Sequence, residues 1–188
     1  MRDMIRIVTT NPGKLKEIKR YMDTLELEVG LQESMFIEVQ AGTLEEVVQY
    51  GLDQLAPTIE DGVSLIKDDS GLFIDALSGF PGVYSAYVQR TISNEGILKL
   101  MEGVKDRGAV FRTVIGYRMK NGGTGLFRGE CRGAISREIR GRQGFGFDPI
   151  FIPEGKSITF AEMSLKEKNS MSHRINALKK LVAFLSSR

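Results

Sequence analysis

Apolar residues in this chain arrive in short bursts that alternate between two periods. Residues 4–8 are almost continuously apolar and predict a short buried strand. A polar stretch, Thr9-Thr10-Asn11-Pro12-Gly13-Lys14, follows, and then Leu15, Ile18 and Met22 recur at helical spacing. Asn11 suits the N-cap and Pro12 the first helical position, so the opening reads as strand, turn and helix. Residues 25–31 alternate weakly, as a second strand would. Phe36-Ile37-Glu38-Val39 is a short apolar run with one carboxylate inside it. Thr43 and Glu46 form a capping box ahead of Leu44, Val47, Val48, Gly51 and Leu55, and Pro57 closes that helix.

Residues 63–66 predict a strand that runs into Lys67-Asp68-Asp69-Ser70-Gly71, a strand end or a solvated turn, and on to Leu72-Phe73-Ile74. Gly79-Phe80-Pro81-Gly82-Val83-Tyr84-Ser85 reads as a loop walling a cleft. Residues 93–102 predict a helix with Ile97, Leu98 and Met101 inward. Residues 109–119 predict a long strand, Asn121-Gly122-Gly123 a hairpin turn, and residues 124–131 and 133–139 further strands. Ile150-Phe151-Ile152 predicts another strand. Ser164 with Glu167 is a second capping box. The last helix opens at Ser172-His173-Arg174 and buries Ile175, Leu178, Leu181, Val182 and Leu185.

Composition narrows the class. The chain has 188 residues, 41% hydrophobic and 27% charged, which suits one globular domain. Lys plus Arg total 26 against 24 Asp plus Glu, and this near balance speaks against a nucleic-acid or membrane partner. Arg112, Arg118, Arg128 and Arg132 read as solvated arginines on a sheet. One cysteine, Cys131, and one histidine, His173, exclude a disulfide framework and a Cys/His zinc site. No apolar run approaches a membrane span, and residues 1–8 lack the long apolar stretch of a secretory signal. A reducing cytoplasm is the expected location.

Four polar clusters stand out. Thr9 to Lys14 place backbone N–H groups and a lysine at a helix start, which suits an anion or a plain capped helix. Asp68-Asp69 at a strand end reads as a magnesium-holding pair or as a solvated turn. Gly141-Arg142-Gln143-Gly144-Phe145-Gly146-Phe147-Asp148 combines glycines with two flat aromatics. These suit either a planar ring or a core turn. Lys168 with His173 and Arg174 supplies donors near the last helix. A nucleoside triphosphate would satisfy all four. Its phosphates suit Lys14 and Lys168, its magnesium Glu38 and Asp69, its base Phe145 and Phe147, and its base edge Asp148, His173 and Arg174.

These segments resemble the inosine triphosphate pyrophosphatases, the Ham1-like purine nucleoside triphosphate pyrophosphatases. The resemblance rests on Thr9-x-Asn11-x-x-Lys14, Asp68-Asp69-Ser70-Gly71-Leu72, Gly79 to Ser85 and Gly144-Phe145-Gly146-Phe147-Asp148-Pro149. It extends to Thr159-Phe160-Ala161-Glu162-Met163, Lys168-Asn169 and Ser172-His173-Arg174, so it covers nearly the whole chain. It implies a mixed α/β fold in a single domain over residues 1–188, with a long twisted sheet and flanking helices forming two lobes around a central cleft, and a homodimer. It implies hydrolysis of ITP, dITP and XTP to the monophosphate and pyrophosphate. Thr9, Thr10, Asn11, Pro12, Gly13 and Lys14 would hold the triphosphate, with Ser70 and Lys168 also touching substrate. Phe145, Gly146, Phe147 and Asp148 would hold the base, and His173 and Arg174 would contact the purine. Glu38, matched through Glu38-Val39-Gln40, and Asp69 would bind one or more Mg2+ ions per subunit. Asp69 also matches the general base, with Asp68 a further ligand or a partner of the ligand. Position 147 is often Tyr or Trp in that family and is Phe here, which keeps the ring and loses its polar handle.

The expected mechanism is attack on the α-phosphorus by a water that Asp69 orients. Lys14 and Lys168 stabilise the transition state, and magnesium neutralises the leaving pyrophosphate. Hypoxanthine and xanthine carry an acceptor at C6 where adenine carries a donor, so donors at that edge would reject adenine. Three rivals differ in kind: a nucleotide-binding regulatory module, a hydrolase for other triphosphates, and a nucleic-acid binder using the arginine-bearing hairpin.

Overall fold

The first strand, β1 (Met4–Val8), is extended because branched apolar residues pack on both of its neighbours. It pairs in parallel with β2 (Val29–Leu31) and with β3 (Val63–Ile74), with Ile7 opposite Leu31 and Ile66. The computed structural model describes residues 4–25, 29–31, 37, 39–58, 60, 62–119 and 122–187. Among these, a six-stranded sheet runs in the order β2-β1-β3-β4-β5-β6, with β4 Gly108–Arg118, β5 Thr124–Ile135 and β6 Phe151–Pro153. β5 and β6 are antiparallel, so the sheet is mixed. The helices are α1 (Pro12–Asp23), α2 (Leu44–Leu55), α3 (Ser85–Thr91), α4 (Ser93–Leu100), α5 (Leu165–Met171) and α6 (His173–Ser186). The mixed α/β class expected from the sequence is the class observed. No helix of the described residues is long and apolar enough to cross a membrane.

The chain packs as two compact units. The first comprises Met1–Asp69, Thr113–Gly129 and Arg174–Arg188. Its core joins Ile5, Ile7, Ile18, Met22, Ile66 and Ile115 to Ile175, Leu178 and Leu181 of α6. Helix α2 lies close to β4 at Gly116, where a Cβ would stand 2.5 Å from Val48 and 2.6 Å from Leu52. Only a residue without a side chain permits that approach. Arg118 pairs with Asp53 and Arg128 with Glu45.

The second unit comprises Ser70–Arg112 and Glu130–His173. Its core gathers Leu72, Ile74, Ile97, Met101, Phe111, Phe147, Phe151 and Phe160. Phe111 meets Phe151 edge to face, with centroids 4.6 Å apart, a favoured aromatic geometry. Arg107 donates to the carbonyls of Met101, Ile135 and Ser136, tying the end of α4 to β5. Cys131 is buried, and burial pushes its thiol pKa up to about 11, which makes it a poor nucleophile.

Three expectations need correction. The Lys67–Gly71 stretch is not a turn: β3 runs unbroken through it. Residues 124–131 and 133–139 are not two strands, since β5 is continuous and ends at Ile135. Ser85, the end of the expected Gly79–Ser85 loop, opens helix α3. The expected Asn121 hairpin and parts of the Phe36 run lie outside the described residues.

Candidate functional site

Helix α1 starts where the sequence places it. Asn11 Oδ1 accepts from Gly13 N at 2.9 Å and Lys14 N at 3.1 Å, and Pro12 fills the first helical position. Thr9 Oγ1 in turn accepts from Asn11 N at 3.1 Å. Thr9, Asn11, Gly13 and Lys14 are partly exposed, and Thr10 and Pro12 fully so. The result is an accessible helix N-terminus with a lysine in its first turn, a combination that attracts anions.

Lys14 faces the strand-borne carboxylates. Its Nζ lies 3.4 Å from Asp68 Oδ2 and 3.6 Å from Asp69 Oδ1. The two aspartates differ sharply in setting. The Asp69 side chain keeps 20% exposure, whereas that of Asp68 has none. Asp68 accepts from Arg174 Nε at 3.1 Å, and the same guanidinium donates from Nη1 to Glu17. Burial alone would raise the Asp68 pKa, but the Lys14 and Arg174 charges and the Arg174 hydrogen bond outweigh it and hold the carboxyl below its ordinary value. Burial likewise works against the Arg174 charge, and Glu17 and Asp68 more than offset it, so its pKa is raised.

Arg174 was expected at a purine edge. It is 1% exposed, and its charge is committed to Glu17 and Asp68. Glu17 was not singled out from the sequence. It is 2% exposed on a helix whose outer face is polar, three residues after Lys14 and hence on the same face. That spacing was its one available signal.

The donor chemistry suits magnesium. Asp69 offers a partly exposed carboxylate on β3, 3.6 Å from Lys14 in the first turn of α1, and magnesium commonly uses one or two carboxylates together with substrate phosphates. Asp68, taken by two cations, is placed as their anchor. Among the described residues no group of three or more His, Cys, Asp or Glu side chains is arranged to hold a metal unaided. Glu38, the other expected ligand, lies outside the described residues.

The second unit assembles the aromatic turn. Asp148 Oδ2 accepts from Lys168 Nζ at 2.6 Å and from Phe145 N at 2.8 Å. Lys168 Nζ also lies 4.8 Å from the Phe145 ring centroid and 5.4 Å from that of Phe160, within cation–π range. Gly144, at φ +75°, is required here, because a Cβ would fall 2.0 Å from Asp148 Oδ2. The two aromatics part company. Phe145 is partly exposed, whereas Phe147 is 3% exposed within the apolar core. Phe147 is therefore no stacking face for a base; the left-handed Gly144 and Gly146 break the alternation that would have set both rings alike. His173 is buried and stacks on Phe111 at 4.6 Å with planes 12° apart. Ser70, on β3, is partly buried.

The structure thus brings Lys14, Asp68, Asp69 and Arg174 together in the first unit, and Phe145, Asp148 and Lys168 together in the second. Residues 5–184 match the Ham1 family. The dITP/XTP pyrophosphatase of Thermococcus kodakarensis is 50% identical over 181 residues, covering 96% of each chain. That of Pyrococcus horikoshii is 49% identical over 181 residues, again 96% of each. The solved Staphylococcus aureus Ham1 protein matches with a TM-score of 0.82 at 31% identity, over 97% of this chain and 98% of that one. A Coxiella burnetii HAM1 protein matches with a TM-score of 0.80 at 29% identity, over 98% and 100%. Similarity of this extent, across sequence and fold alike, makes the chain a member of the Ham1 family.

Proposed function

We propose that this chain hydrolyses non-standard purine nucleoside triphosphates, namely ITP, dITP and XTP, to the monophosphate and pyrophosphate. It is an enzyme acting on an acid anhydride, and the reaction removes aberrant nucleotides from the pool. The relatives named dITP/XTP pyrophosphatase support this reading across 96% of the chain. The observation that carries it is the convergence of Lys14 with Asp68 and Asp69 beside an accessible helix N-terminus, which matches a phosphate chain and a hard cation.

The site residues follow. Thr9 to Lys14 bind the triphosphate, and Ser70 and Lys168 touch substrate. Asp69 orients the attacking water and accepts its proton. Asp69 and Glu38 would hold magnesium, which when bound supplies charge neutralisation on the leaving pyrophosphate. Lys14 stabilises charge that develops on the phosphates. Phe145 offers the ring face for the purine, while Phe147 anchors its turn in the core. Asp148 holds the Phe145 N–H and Lys168 in register. His173 and Arg174 are assigned to the purine edge on the resemblance. The chain works as one domain, as a homodimer, in the cytoplasm.

The test is one assay with magnesium, and with ITP and ATP in parallel. IMP plus pyrophosphate from ITP, with little product from ATP, is the expected outcome. IDP plus phosphate would place attack at the γ-phosphorus and overturn the mechanism.

A further inference from the structure

Asn94 sits one residue into α4 (Ser93–Leu100) on the face that carries Ile97 and Leu98 toward the core of the second unit. It is 9% exposed. Burial there costs the amide its hydration. Its side chain reaches the aromatic turn, where Nδ2 donates to the Gly146 carbonyl at 3.2 Å. Its Oδ1 is inaccessible and has no hydrogen-bond partner among the described residues. A residue selected only for stability at this position would not bury an unanswered acceptor.

The hydrogen bond completes a set of three pins around Phe145. Phe147 is fixed in the core on one side. Asp148 Oδ2 holds the Phe145 N–H from within the turn. Asn94 holds the carbonyl of Gly146, the residue between the two rings, which takes φ +62°. Without the third pin the Phe145–Gly146 and Gly146–Phe147 peptides can rotate about a glycine, the residue least able to resist. The Phe145 ring then keeps its Asp148 and Lys168 contacts but gains freedom of direction, while the core remains intact.

We infer that Asn94 is a positioning residue for base recognition, acting through the Gly146 carbonyl to aim the Phe145 ring. The inference rests on the proposed function, since it assigns the ring to the purine of a nucleoside triphosphate. Its signature separates it from a structural role. Asn94→Leu removes the unanswered acceptor and restores an apolar, helix-favouring side chain, so stability holds or rises. The partly exposed Gly146 can take water in place of the lost donor. Asn94→Asp keeps the shape and loses the donor.

The experiment compares wild type with both variants in magnesium, measuring KM and kcat for ITP, competitive inhibition by inorganic triphosphate, and the thermal midpoint. Inorganic triphosphate has phosphates and no base. The expected result is a rise of about 3- to 10-fold in KM for ITP in both variants, the worth of one hydrogen bond. The kcat and the inhibition constant of triphosphate stay at wild-type values, and the midpoint of Asn94→Leu is not lowered. An unchanged KM in both variants overturns the inference. So does a parallel loss of kcat, triphosphate inhibition and thermal midpoint, which would mark a structural residue. A wild type that does not cleave ITP would instead sink the functional reading itself.

Discussion

Arg174 Nε donates to Asp68 Oδ2 at 3.1 Å, with 1% of the arginine side chain and none of the aspartate side chain exposed. The same guanidinium is held by Glu17. Removing one member of a buried ionic cluster strands the others without hydration, at about 3–5 kcal/mol. Arg174→Met should therefore lower the free energy of urea unfolding by about that amount. Glu17→Gln should do so to a lesser degree, because Asp68 still neutralises the arginine. A loss below about 1 kcal/mol for Arg174→Met, the range of exposed pairs, would mean the cluster is solvated in solution.

The same cluster sets an acid response. Asp68 has its folded-state pKa held below the ordinary value. Such a carboxyl contributes stability that is complete above about pH 4, the unfolded-state value. That contribution is lost as the pH falls through the lower, folded-state pKa. The stability gap between wild type and Asp68→Asn should be wide at pH 7 and should narrow as the pH is taken below 4. Urea titrations at several pH values read it directly. A gap of constant width would show that the Asp68 carboxyl titrates alike in the folded and unfolded states.

Asp69 differs from its neighbour in keeping 20% of its side chain exposed, with Lys14 at 3.6 Å. Asp69→Asn should lower the unfolding midpoint less than Asp68→Asn does, since a partly exposed carboxylate has given up less hydration than a fully buried one. Turnover of ITP should fall by about 10²- to 10⁴-fold, as for loss of a general base. Retained turnover would move the chemistry to another residue.

Gly144 and Gly155 share φ +75° and differ in their surroundings. A Cβ on Gly144 strikes Asp148, whereas one on Gly155 meets nothing within 4 Å. Both changes to alanine should destabilise by about 1–3 kcal/mol through backbone strain. Gly144→Ala alone should also raise KM for ITP, because it drives Asp148 away from Phe145 N and Lys168. Equal KM values in the two variants would show that the Asp148 contacts do not shape the site.

Much of this was legible in the chain, and the exceptions share a cause. Asn11, Thr43 with Glu46, and Ser164 with Glu167 cap the helices they were read to cap, because capping is local chemistry. Strand β3 was misread where Asp68, Asp69, Ser70 and Gly71 imitate a turn. Tertiary partners override that propensity: the Gly82 carbonyl would lie 2.3 Å from a Cβ at Gly71, and Ser85 Oγ accepts from Leu72 N at 2.8 Å. Glu17, apart from its spacing to Lys14, and Asn94 carry no local signal, because each acts on a residue distant in sequence. The separation of Phe145 from Phe147 required the signs of two glycine φ angles, which composition does not carry.

The three segments of the first unit impose an order on synthesis. β1 and α1 are made first, and the core they belong to also needs Ile175, Leu178 and Leu181. Until α6 has left the ribosome, Ile5, Ile7, Ile18 and Met22 lack part of their apolar cover. The carboxylates of Glu17 and Asp68 wait for Arg174 over the same interval. The second unit ends at His173 and can close its aromatic core earlier. The nascent chain therefore carries an incomplete amino-terminal half beside a nearly finished middle, and its need for a chaperone should be greatest just before the last helix emerges.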